Sequence, residues 1–114
     1  MEPQLKPSDI AGWLSPNKTV APDQHMQLCA SAVEALIGTL PDAPLEAPDE
    51  DGHRAWTDQT KLAAIMLGAR LYRRRNSANG IEAMSADGAS YVSRYDSDIS
   101  RLLRIDGNTR PRVG

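Results

Sequence analysis

Between Thr60 and Tyr72 the chain carries only two charged side chains, Lys61 and Arg70, among Leu62, Ala63, Ala64, Ile65, Met66, Leu67, Ala69 and Leu71. A helix over this stretch is apolar nearly all round and has to be covered on several sides at once. Thr57 is placed to cap it. Leu62, Ile65, Met66, Ala69 and Tyr72 form one stripe, which Ala63, Leu67 and Leu71 widen. The spacing predicts a central helix, packed by the other helices or by a neighbouring subunit. It ends in Arg73-Arg74-Arg75, where cations suit the negative end of the helix dipole.

The remaining pattern supplies the covering elements. Met26, Cys29, Val33, Leu36, Ile37 and Leu40 fall on one helical stripe, with Gln24, Gln27, Ser31 and Glu34 on the wet side, and a helix is expected over residues 23–39. Ser8 is a candidate cap for a short helix through Ile10, Trp13 and Leu14, stopped by Ser15-Pro16-Asn17. Residues 1–7, with Pro3 and Pro7, read as a flexible arm. Asp96 is a candidate cap for a last helix carrying Ile99, Leu102 and Leu103, too short to stand without a surface to dock on. Before it, Ile81 to Ser85 and Ser90 to Tyr95 flank Asp87-Gly88, the signature of a β-hairpin or extended loop. The expected fold is mainly α, a small helical bundle of about four helices over residues 8–105 with that hairpin before the terminal helix, then a flexible basic tail over 106–114.

A chain of 114 residues fits one domain. Hydrophobic residues make up 40%, yet there is no Phe and only two Trp and three Tyr, so the core is aliphatic and thin. Each fully buried aliphatic side chain contributes about 1.5–3 kcal/mol against a large entropy cost, and association is one remedy for a thin core. The formal net charge of −2 argues against a nucleic-acid binder held by overall charge. Its distribution is uneven: residues 1–53 sum to −7 and residues 54–114 to +5. The single cysteine, Cys29, excludes an internal disulfide, and the N-terminus lacks the basic-then-apolar pattern of a signal peptide. No apolar run approaches the roughly 20 residues of a membrane span. A soluble protein of a reducing cytoplasm is expected, in which the sequon Asn17-Lys18-Thr19 has no role.

Residues 41–52 hold Asp42, Glu46, Asp49, Glu50 and Asp51 with no base. Such a segment reads as an exposed, mobile connector, or more sharply as a negative contact for a basic neighbour. Arg73, Arg74 and Arg75 read as solvated cations or as forks for acidic partner surfaces or phosphates. His25 and Cys29 stand four apart and could share a helix face. A nucleophile needs an oriented base and an oxyanion hole, and a structural zinc needs four ligands, so a core cysteine beside a surface histidine is the better reading. No Gly-rich phosphate loop follows a strand. Neither a catalytic residue, a metal nor a cofactor is expected.

The run Leu62-Ala63-Ala64-Ile65-Met66-Leu67-Gly68-Ala69-Arg70-Leu71-Tyr72-Arg73-Arg74-Arg75-Asn76-Ser77-Ala78-Asn79-Gly80 resembles the head-to-tail connector, or adaptor, proteins of long-tailed bacteriophages. Val92-Ser93-Arg94-Tyr95-Asp96-Ser97-Asp98-Ile99-Ser100-Arg101-Leu102-Leu103 continues the likeness, and Asp9-Ile10-Ala11-Gly12-Trp13-Leu14 looks like the family's opening helix. The resemblance spans roughly residues 56–105. It implies a helical, non-enzymatic virion protein, assembled in the host cytoplasm, that joins a twelvefold ring beneath the portal. DNA would pass through the bore, in non-specific proximity, with a stopper or tail protein below and no membrane involved. By that analogy portal or subunit contacts fall at Tyr91, Val92, Tyr95, Ile99, Leu102 and Leu103; independently, the unlike charges of Arg70, Arg73, Arg74 and Arg75 and of Asp42, Glu46, Asp49, Glu50 and Asp51 are expected to pair between neighbouring subunits.

The rival reading is a small helical DNA-binding or regulatory protein, since the C-terminal half is basic. Its longest helix, however, is centred on Ala, Ile, Met and Leu, which suits packing and not a groove. An enzyme using Cys29 or the acidic segment is the weakest alternative.

Overall fold

The computed structural model describes residues 4–17, 19–74, 89, 92 and 96–105. Among these are four named helices, α1 (Pro7–Leu14), α2 (Gln24–Gly38), α3 (Asp58–Arg73) and α4 (Ser97–Leu103), and no named strand. The chain is mainly α, and α3 is the element that α1, α2 and α4 all touch.

α2 forms as its stripe requires. Asp23 caps it, its carboxylate accepting the Met26 N–H at 2.8 Å, and Met26, Cys29, Ala30, Val33, Leu36 and Ile37 are buried. The Thr57 hydroxyl accepts the Thr60 N–H at 3.3 Å to start α3. The buried face of α3 differs from the expected stripe. Thr60, Ala63, Ala64, Leu67, Gly68, Ala69 and Leu71 lie inside, whereas Leu62 is 40% exposed and Ile65, Met66 and Tyr72 are half-buried. Close approach, not side-chain size, selects the inner face: a Cβ on Gly68 would lie 2.8 Å from Ile10 Cδ1 of α1.

Two expectations at the N-terminus are corrected. Ser8 does not cap α1; Pro7 opens the helix, and the Asp9 carboxylate reaches back to accept the Lys6 N–H at 2.9 Å. Proline at the first helical position costs nothing because that N–H has no partner in any helix. Nor are residues 4–6 a loose arm. The Gln4 and Leu5 amides donate to the Glu34 carboxylate at 3.1 and 3.0 Å, the Gln4 side chain accepts the Trp56 N–H at 2.8 Å, and Leu5 is 2% exposed. Glu34, expected to be merely wet, is the anchor.

The segment from Pro41 to Thr57 is exposed along most of its length but is a closed excursion, where a mobile connector was expected. Leu45 and Trp56 form an antiparallel bridge, the Glu46 N–H donates to the Ala55 carbonyl at 2.8 Å and the Asp49 N–H to that of His53 at 2.9 Å. Asp49 Oδ1 accepts the Asp51 and His53 amides at 2.8 and 2.9 Å, and Gly52 takes φ 85°. At its root, the Thr60 hydroxyl donates to the Pro44 carbonyl at 2.6 Å. Polar contacts along the excursion join the apolar anchors at its root, where Ala43 is buried in the core and Trp56 packs against it.

The hairpin expected over residues 81–95 lies outside the described residues except at Ala89 and Val92, and both of these are helical. The Asp96 N–H donates to the Val92 carbonyl at 2.8 Å, a helical turn. The tail over 106–114 also lies outside the described residues.

Candidate functional site

The C-terminal end of α3 and the start of α4 meet through charge. Arg70 Nη1 and Nη2 donate to the two Asp98 carboxylate oxygens, each at 2.8 Å, and Arg70 Nη1 also reaches Asp96 Oδ1 at 3.1 Å. Arg74 clamps Asp96 with a second fork, at 3.1 and 2.9 Å. Arg70 and Arg74 stand four apart, so both guanidinium groups leave the same side of α3. Asp96 and Asp98 flank the first residue of α4. The Asp96 side chain is 1% exposed and those of Arg70 and Arg74 about one-third.

This geometry divides the residues assigned to an interface. Arg70 and Arg74 are engaged within the chain. Asp96 occupies the N-cap position of α4, yet its side chain makes no cap bond, because the two arginines hold it; Asp98 accepts the Ile99 N–H instead, at 2.9 Å. The Arg70 guanidinium holds the Asp98 carboxyl down at about 2, and Asp98 and Asp96 in turn raise Arg70 above its ordinary value. Val92, Ile99 and Leu103 are buried to 0% exposure in the common core, so their apolar surface serves this chain's own packing and substitutions there act on folding first. Leu102 is half-buried, and its carbonyl accepts the Gln59 side-chain amide at 2.8 Å. Arg75, Tyr91 and Tyr95 lie outside the described residues.

Arg73, Arg101 and Arg104 are exposed and make no ion pair among the described residues. On the other side of the charge balance, Asp42, Glu46, Glu50 and Asp51 are likewise exposed and unpaired, while Asp49 is lowered from the usual carboxylate value by the His53 amide first. The Arg54 guanidinium turns back on its own excursion, donating to the Glu46 carbonyl at 2.9 Å.

Cys29 is the core cysteine expected, but His25 is half-buried and not the surface histidine expected beside it. Cys29 is fully buried, and the His25 ring packs edge-on against Tyr72 at 5.7 Å. The Tyr72 hydroxyl donates to Asp23 Oδ2 at 2.6 Å, the first cause of the lowered Asp23 value. No cluster of three or more His, Cys, Asp or Glu among the described residues is arranged to hold a metal. An open groove beside α1 is lined, among the described residues, by Ser8, Ala11, Gly12, Ser15, Pro16, Asn17, Thr19 and Val20, none of them titratable. No helix among the described residues is long and apolar enough to cross a membrane.

Sequence reasoning missed the α3–α4 clamp, although its signal was present: arginines four apart at a helix end, and Asp-x-Asp opening the next helix. The chain matches no known protein-family model, no curated protein and no solved structure.

Proposed function

We propose that this chain is a structural adaptor of a bacteriophage virion, a head-to-tail connector that forms a ring below the portal and links it to a stopper or tail protein. The observation that carries this reading is the order of elements along the resembling stretch. A small-residue helix ends in arginines and receives a terminal helix that begins after Asp96, and the described surface carries exposed carboxylates at Asp42 to Asp51 and exposed Arg73, Arg101 and Arg104. A thin aliphatic core and unlike charged patches suit a protomer that completes itself by assembly. Portal and neighbour contacts then belong to the exposed groups, because Ile99, Leu103 and the paired arginines are occupied internally.

Sedimentation velocity of the full chain with and without the portal protein encoded in the same genome tests the proposal. Co-sedimentation in a fixed ratio is expected, and a chain that stays separate at micromolar concentrations of both overturns it. A small DNA-binding protein is the alternative, favoured by the exposed arginines alone. It requires duplex binding that weakens steeply with salt, read by filter binding across a salt series.

A further inference from the structure

We infer that the end of α4 is a docking surface for the acidic excursion of a second copy of this chain. Arg101 and Arg104 stand three apart and exposed at the end of α4, with half-buried Leu102 between them. Leu62, 40% exposed, lies one turn along α3 from Gln59, the residue that holds the Leu102 carbonyl. The end of α4 thus presents two exposed guanidinium groups, with Leu102 half-buried in the same turn. Its complement on the same chain is the tip of the excursion, where exposed Ala47 and Pro48 sit between Glu46 and the carboxylates Asp49, Glu50 and Asp51.

The tip is already ordered by its backbone bonds, so docking it costs little further ordering. No ion pair joins tip and patch within one chain. The two surfaces are unlike, so contact between copies is head to tail and leaves one free surface at each end of any open assembly. The inference rests on the adaptor reading for its purpose but not for its test, which uses this chain alone.

Two charge-reversed proteins decide it. One carries Arg101→Glu and Arg104→Glu; the other carries Glu46→Lys and Glu50→Lys and keeps Asp49, whose carboxylate holds the turn. Circular dichroism first establishes that both fold. In sedimentation velocity at low salt, the wild-type chain is expected to self-associate weakly, and each variant alone about tenfold more weakly or worse. An equimolar mixture restores association, because the acidic tip of the first meets the arginines of the second and the lysine tip of the second meets the glutamates of the first. Variants that associate like wild type overturn the inference, as does a mixture no stronger than its components. A wild-type chain still monomeric at about millimolar concentration at low salt also overturns it. Failure of the chain to bind portal counts against the adaptor reading and leaves this result standing.

Discussion

Arg104 sits at φ 53°, a backbone region where a side chain is crowded against the following carbonyl. The chain tolerates it because Arg104 closes α4: its N–H donates to the Arg101 carbonyl at 3.2 Å, and the Ile105 N–H to that of Ser100 at 3.0 Å. This double closure normally falls to glycine. Arg104→Gly is therefore expected to raise stability by about 0.5–1 kcal/mol in urea unfolding, and a loss would mean that the arginine side chain is held by something that outweighs its strain. Gly68 is the opposite case. Its helical φ needs no glycine, but the fully buried Ile10 side chain fills the space a Cβ would take. Overpacking of about 1–3 kcal/mol outweighs a helix-propensity gain of about 1 kcal/mol, so Gly68→Ala is expected to destabilise by about 1 kcal/mol. An equal or higher urea midpoint would show that Ile10 has room to turn aside.

α4 shows what a short helix needs. Seven residues are too few to hold a helix in water, and the arginine clamp at one end, Gln59 at the other and buried Ile99 and Leu103 between them supply the difference. Asp96→Ala leaves two guanidinium groups facing a vacated buried position, and a loss of about 2–4 kcal/mol is expected in chemical denaturation; a loss under about 0.5 kcal/mol would show that water replaces the carboxylate freely. Asp98 ties the same joint to pH. Its folded value, about 2, lies below the ordinary 3.8, so the stability it contributes is present above the ordinary value and fades as pH falls toward 2. The Asp98→Asn protein should show a flatter stability profile between about pH 4 and 2 than wild type; parallel profiles would remove Asp98 from the acid response. The stripe of α2 and the cap at Thr57 were legible in the sequence because their causes are local. The inner face of α3 was not, because hydrophobicity ranks Leu62 above Gly68 while packing distance ranks them the other way. The clamp was hidden for a related reason: its partners stand 22 to 28 residues apart, and nothing local tells a helix-end arginine whether its carboxylate belongs to this chain or another.

At the scale of the molecule, both ends of the described chain close on the same helix. Leu5 enters the core beside α1 and α3, Lys61 pairs with Asp9 at 3.1 Å, and α4 covers another side of α3. Leu5→Ala is accordingly expected to cost about 2–4 kcal/mol, a large fraction of the total for a domain of this size; thermal unfolding would detect it, and an unchanged melting temperature would return residues 4–6 to the status of a loose arm. The separation of Arg74 from Asp96 also has a consequence during synthesis. At about 5–20 residues per second, the ribosome needs roughly 1–4 s after completing α3 to deliver the carboxylate that Arg74 awaits. For that interval the side of α3 that α4 covers in the finished fold has no cover, and transiently exposed apolar surface of that kind is what makes a nascent chain prone to aggregate. Yield in the cell should then depend on how quickly translation runs through residues 75–96, a property of the codons there and not of any amino acid in the finished protein.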